Sequence, residues 1–231
     1  MRWFRGLKQT PVTAALISVN ILVYVVMAAV SGRLLSFDTP ILVAAGASVT
    51  APDVVASHWR WLSAAFIHVN LLHIFMNMWV LGQIGAISEK AIGRGLFAAT
   101  YVVTGVLGNV LSSVLAARHG GPTLSAGASG AIMGLIGMAA TFAWRSGQRA
   151  AARALAFNIL FVLGVGLSMS ARGVHLVDNA AHIGGLIAGA LVGLARVSMR
   201  RPIPPRLDRA FVVVSFGLAA VAFAVVQLSG A

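Results

Sequence analysis

With 231 residues, of which 59% are hydrophobic and only 10% charged, the chain has too little polar material to clothe a soluble domain of its size. A polytopic membrane protein is the class that remains, and at ~20 apolar residues per crossing the length holds six or seven spans with short loops and no separate soluble domain. The absence of Cys excludes disulfides, thiolate metal sites and cysteine redox chemistry while leaving the compartment open.

In chain order, apolar runs between breaker and charge clusters predict spans at approximately 11 to 30, 69 to 88, 95 to 116, 127 to 143, 154 to 170, 180 to 196 and 210 to 228. Arg2, Arg5 and Lys8 precede the first run and Met27-Ala28-Ala29 follows its apolar core. At about 20 residues it exceeds the ~7 to 15 residue core of a signal peptide, so it reads as a retained helix. Residues 31 to 68 form a long loop with apolar patches suited to interfacial helices. Ser198 to Asp208 is an Arg- and Pro-rich linker to a last helix whose polar residues of note are Ser215 and Gln227.

The formal net charge of +12 raises nucleic acid as a partner, but the placement of the basic residues argues against it. With a cytoplasmic N-terminus, the inner segments hold Arg2, Arg5, Lys8, Lys90, Arg94, Arg145, Arg149, Arg153, Arg196, Arg200, Arg201, Arg206 and Arg209, which is 13 of the 17. The outer segments hold only Arg33, Arg60, Arg118 and Arg172. This bias is the positive-inside signal of a seven-span chain with its C-terminus outside, and lipid rather than nucleic acid is the expected surroundings.

In that topology the second, fourth and sixth spans all run from outside to inside, so their early residues share one depth. These are His68, His73 and Asn77; Gly127-Ala128-Ser129-Gly130; and Asp178-Asn179-Ala180-Ala181-His182. Polar groups clustered at one depth in a bilayer are costly unless paired or hydrated, which makes them a functional-site hypothesis. Taken singly, Ser129 would favour a blander role, bonding its own helix or lining a helix contact. The sixth span, however, reads His182, Gly185, Gly189 and Gly193 on one stripe, and the fourth offers Gly130, Gly134 and Gly137. Small faces of this kind let helix backbones approach closely, bringing Ser129 toward His182. Plain packing accounts for the glycines but gives no reason for an imidazole at the top of the stripe.

A neutral imidazole held against a hydroxyl can take its proton near pH 7, so Ser129 and His182 form a candidate nucleophile and base. Asp178, four residues before His182 on the same helix, is poorly placed to grip the ring and reads as a helix-start residue. His73 and Asn77 lie about 40° apart on a helical wheel and can act together as oxyanion donors, with the Ser129 N–H as a third. His68 is roughly 140° from His73 and is expected on another face or in the preceding loop. His58, His68, His73 and His182 could supply metal ligands, but no His-Glu-x-x-His and no mid-membrane acid accompanies them. No metal or other cofactor is therefore expected. His119 and His175 fall in outer loops and are expected to be solvated.

These residues resemble the rhomboid family, whose serine lies in a Gly-x-Ser-Gly motif opening the fourth helix, here Gly127-Ala128-Ser129-Gly130. The family's sixth-helix pattern matches His182, Gly185 and Gly189, its second-helix pattern His68, His73 and Asn77, and its outer-loop Trp-Arg pair Trp59-Arg60. The resemblance covers about residues 11 to 196. It implies an all-α membrane protein, a polytopic helical bundle with a six-helix catalytic core (1–196), beyond which the sequence itself adds a basic Pro-rich cytoplasmic linker (197–209) and a C-terminal transmembrane helix (210–231).

The resemblance further implies an intramembrane serine endopeptidase with a Ser129–His182 dyad and no catalytic acid. His73 and Asn77 would be its oxyanion hole, a water-accessible cavity would open to the outer face, and a mobile fifth helix would admit transmembrane protein substrates. Met133 stands where the family often has an aromatic ring against the catalytic His. A bacterial inner membrane is the expected location, and the oligomeric state is left open. The alternatives are a catalytically inactive rhomboid-like module that binds membrane segments, and a transporter or channel, which would need ionisable residues deep in several spans.

Overall fold

Pro11, with its missing N–H in the first helical turn, starts the first helix, and Gly32, at φ +67°, ends it in a left-handed cap. The computed structural model describes residues 9–50, 57–119, 123–172, 177–199 and 202–228. Arg2, Arg5, Lys8, His175, Arg200 and Arg201 lie outside the described residues. The elements are α1 (Pro11–Ser31), α2 (Thr39–Ala45), β1 (Ser48–Thr50), α3 (Arg60–Ser63) running into a 3-10 turn (Ala64–Phe66), α4 (Leu71–Ile92) and α5 (Arg94–His119). They continue with β2 (Thr123–Ser125), α6 (Ser129–Arg145), α7 (Arg149–Ser170), α8 (Asn179–Ser198) and α9 (Pro205–Leu228).

The protein is a multi-pass membrane protein, an all-α bundle. Six helices, α1, α4, α5, α7, α8 and α9, are long and apolar enough to cross a bilayer, with mean hydropathies of 1.4 to 2.4. The remaining predicted span is α6, at 17 residues only about 26 Å long. It is also the centre of the bundle, packed against α4, α5, α7 and α8. Little of it meets lipid, so it need not match the full hydrocarbon thickness. The loop at 31 to 68 holds α2 and α3, as the expectation of short helices there suggested, and one strand that the hydropathy gives no hint of. That strand, β1, pairs antiparallel with β2 across the chain, Val49 opposite Leu124. The last helix begins at Pro205, five residues before the apolar run, because proline is well tolerated in a first turn.

Helix directions follow from which ends meet. Buried Glu89, in the last turn of α4, accepts the Val12 and Thr13 N–H groups at 3.1 and 2.7 Å and the Thr13 hydroxyl at 2.8 Å. One carboxylate thus caps the start of another helix, satisfying donors that a helix N-terminus leaves open, and α1 is antiparallel to α4. Asp208 does the same for α5, accepting the Gly95 N–H at 2.7 Å, so α9 runs parallel to α5. We call the end holding Glu89 and Asp208 lower and the opposite end upper.

α6 and α8 run parallel and touch backbone to backbone. A Cβ on Gly185 would meet the Gly130 carbonyl, one on Gly189 the Gly134 carbonyl, and one on Gly193 would lie 2.6 Å from the Met138 carbonyl oxygen. Only glycine allows that approach, which sets the distance between the two helices that carry Ser129 and His182.

Candidate active site

The segment that delivers Ser129 is tied down residue by residue. After β2, Gly127 turns the chain at φ +125°, a conformation that costs any other residue. Its N–H bonds the Ala64 carbonyl at 2.9 Å. The next N–H, of Ala128, points at His68 Nε2 over a long 3.5 Å, and His68 Nδ1 lies 3.3 Å from the Phe66 carbonyl. Both contacts are satisfied when Nδ1 carries the proton and Nε2 accepts, which makes His68 a neutral strut rather than a free base. It is fully buried, edge-on to His73 at 5.1 Å between ring centres. Ser129 then opens α6, half-buried, in a first turn whose N–H groups lack intrahelical acceptors.

His182 sits just inside the start of α8 and is 5% exposed. Asp178 caps this helix, Oδ1 accepting the Ala181 N–H at 2.9 Å, while Oδ2 accepts the Ser112 hydroxyl at 2.6 Å. Each oxygen of that carboxylate therefore has a partner other than the imidazole, and His182 Nδ1 is buried without a hydrogen bond. Gly130 lies beside Ala181, with 3.4 Å from the position of a Gly130 Cβ to the Ala181 carbonyl oxygen. Ser129 and His182 each adjoin one of those two residues, on facing helices at one level. No direct hydrogen bond joins them among the described residues.

The third wall is α4. Asn70 caps it, accepting the His73 N–H at 2.7 Å. One turn on, the Asn77 amide donates to the His73 carbonyl at 3.0 Å, leaving its second N–H unused. Gly127 is pressed against these side chains. A Cβ there would stand 2.7 Å from His73 Cε1, 2.8 Å from Nε2 and 3.8 Å from Asn77 Nδ2. His73 Nδ1 is buried with no partner. The four residues singled out in the sequence thus converge from three helices on the upper end of the bundle. The set is a hydroxyl, an imidazole with no acid behind it, and two side-chain donors. Such a set suits acyl transfer, which needs a nucleophile, a base and an oxyanion partner.

Met133, one turn after Ser129, is 2% exposed and part of the core. His58 lies outside the cluster's bonding and packs edge-on against Trp61 at 4.7 Å. Arg60 is buried, its Nη1 donating to the Val43 and Ala47 carbonyls at 2.6 and 3.1 Å and its guanidinium 4.5 Å from the Trp59 ring. The Trp-Arg pair thereby staples α2 to α3.

Sequence reasoning passed over a polar stripe on α5 that braces the site from behind. Asn109 donates to the Trp61 carbonyl at 2.7 Å and accepts the Ser125 hydroxyl at 2.9 Å, Ser113 accepts the Trp61 ring N–H at 3.1 Å, and Ser112 holds Asp178. Their spacing, three and then one apart within an apolar helix, was the available signal, since polar groups on one face of a span demand partners.

Residues 55–199 match the Rhomboid domain. Over 160 residues, 69% of this chain, it is 32% identical to the rhomboid protease GluP of Bacillus subtilis, of which it covers 30%. It is 32% identical to rhomboid-like protease 2 of Toxoplasma gondii over 184 residues, 78% of this chain and 62% of that one. To the rhomboid protease GlpG of Photorhabdus laumondii it is 34% identical over 143 residues, 59% of this chain and 46% of that one. The chain thus spans less than two thirds of the length of these relatives. With the matched domain extending over well more than half of its residues, this chain belongs to the rhomboid family.

Proposed function

We propose that the chain is an intramembrane serine endopeptidase that hydrolyses peptide bonds in or near transmembrane segments of membrane-protein substrates. The observation that carries this is the meeting of the Gly127–Ser129 turn with His73 and Asn77 on one side and the α6–α8 glycine contact with His182 on the other. In the proposed reaction, Ser129 Oγ attacks the scissile carbonyl carbon and passes its proton to His182 Nε2. The carbonyl electrons move onto oxygen, held by donors from His73, Asn77 and the Ser129 N–H. Collapse breaks the C–N bond, with His182 returning the proton to the departing amine. Water, deprotonated by His182, then attacks the acyl carbonyl, and collapse breaks the ester bond to free the carboxyl product while His182 returns the proton to Ser129 Oγ. Asp178 has no part in proton transfer, because its oxygens are already engaged with Ala181 and Ser112.

Substrate reaches the site past α7, of whose most apolar stretch only 11% is buried, against 22 to 50% for the other five apolar spans. In this reading the upper end faces outside, because Lys90, Arg94, Arg145, Arg149, Arg153, Arg196, Arg206 and Arg209 all belong to the lower segments, and the location we propose is a bacterial inner membrane.

The test is cleavage of a single-span test substrate by the purified full chain in liposomes, comparing wild type with Ser129→Ala and His182→Ala. The reading expects a cutting wild type, an inert Ser129→Ala and a loss of at least ~10²-fold in His182→Ala, the scale of general-base catalysis. Wild type that folds, inserts and cuts nothing across varied substrates would favour a non-cleaving membrane-segment binder instead.

A further inference from the structure

The last helix lies beyond the matched domain, which ends at residue 199, and nothing in the chemistry above uses it. We infer that α9 is a positioning element for Ser129, acting through the 3-10 turn that the nucleophile segment hangs from. This rests on the protease reading of the site.

α9 is fastened at both ends. At the lower end Asp208 caps α5 through the Gly95 N–H, and the Asp208 backbone carbonyl occupies the space a Gly95 side chain would need. Along its length Ser215, Ala219, Ala222 and Val226 are buried, spaced four, three and four apart and so on one face. Val213, Val214 and Val221 are exposed and suited to lipid. At the upper end the Phe223 ring packs on Phe66 at 5.8 Å between centres and 64° between planes. A Val226 methyl stands 3.0 Å from where a Gly46 Cβ would be, and the Gly46 carbonyl accepts the Ser63 hydroxyl at 2.6 Å.

Phe66, so gripped, and Ala64 two residues before it in the same 3-10 turn hold the nucleophile segment. Ala64 supplies the carbonyl for the Gly127 N–H, and Phe66 supplies the one that orients His68, whose other nitrogen faces the Ala128 N–H. Phe66 is 1% exposed, and a close-packed interior transmits a shift of one side chain to its neighbours. The path from α9 to Ser129 is therefore Phe223 to Phe66, then His68 and Ala64, then Gly127 and Ala128. A lipid anchor that merely accompanied the core would need neither the Phe223–Phe66 contact nor the Asp208 cap.

The experiment measures kcat and KM for a single-span substrate, the labelling rate of Ser129 by a serine-directed fluorophosphonate, and Tm. The purified full-length variants are Phe223→Ala, Phe223→Leu, Phe66→Ala, the Phe66→Ala/Phe223→Ala double variant and the lipid-facing Val221→Ala. Displacement of the nucleophile by a fraction of an ångström to 1 Å costs on the order of 10- to 10²-fold in rate. The expected result is a fall of that size in kcat and labelling for Phe223→Ala, with KM within about twofold. Phe223→Leu should recover most of the rate, the double variant should be no worse than Phe66→Ala, and Val221→Ala should match wild type. Full kcat in Phe223→Ala, or a loss in the double variant equal to the product of the two single losses, overturns the inference. So does a loss fully accounted for by a smaller folded fraction. An inert wild type fails the protease reading itself, whereas an active wild type with an indifferent Phe223→Ala fails only the role given to α9.

Discussion

Replacing Gly189 by Ala adds one methyl group at the point where α6 and α8 are closest. The new Cβ would stand 2.7 Å from the Gly134 Cα and closer still to the Gly134 carbonyl oxygen. Carbon atoms rest at about 3.5 to 4.0 Å and the nearest carbon, the Gly134 carbonyl carbon, is 2.5 Å away, so the helices must part locally by at least about 1.0 to 1.5 Å. Both obstacles are backbone, and no rotamer change can absorb the shift. Overpacking of this kind costs roughly 1–3 kcal/mol, offset in part by the ~1 kcal/mol by which Ala outranks Gly in a helix. Stability should therefore fall only modestly. Activity should fall much further, because ~1 Å of misplacement between nucleophile and base costs on the order of 10²-fold. Cleavage of a single-span substrate in liposomes, read beside Tm, separates the two effects. Gly164→Ala and Gly217→Ala, in helix interiors where a Cβ meets nothing within 4 Å, should cleave at the wild-type rate with a Tm equal to or somewhat above wild type. If Gly189→Ala cleaves at the wild-type rate, the idea that the glycine contact sets the Ser129–His182 distance is wrong.

Three further outcomes follow from the bonding around the site. Asp178→Asn should keep activity within about tenfold, because Asn caps helices as well as Asp; a loss nearer 10⁴-fold, the scale seen when a triad acid is amidated, would make Asp178 part of the proton machinery. His68→Phe, measured by kcat at saturating substrate, should slow cleavage without abolishing it, since it strands the Ala128 N–H and Phe66 carbonyl at a cost of about 1–3 kcal/mol; an unchanged kcat would remove His68 as a strut. Glu89→Ala leaves the Val12 and Thr13 donors without their acceptor, so Tm should drop by an amount corresponding to about 3 kcal/mol or more, with the rate per folded molecule preserved. A variant as stable as wild type would show that water caps α1 equally well.

Local chemistry by itself determined the membrane class and the seven apolar runs, and it singled out Ser129, His182, His73 and Asn77 as the candidate site. A span must be apolar over its whole length, and a polar residue in it must have a reason, so both are written in consecutive residues. The spacing of Gly185, Gly189 and Gly193, with the matching small face of Gly130 and Gly134, likewise announced the close α6–α8 contact. Only the tertiary structure decided that β1 would find β2, that Glu89 would cap α1 and Asp208 would cap α5, and that Asn109 and Ser112 would brace the segments carrying Ser129 and His182. These join residues between 16 and 113 positions apart, and hydropathy is blind to which distant donor a buried acceptor will meet. The last helix, α9, makes the same point. Its sequence marks it as a lipid-embedded segment with two polar residues, while its contact with Phe66, which ties it to the nucleophile segment, exists only once α9 is laid parallel to α5.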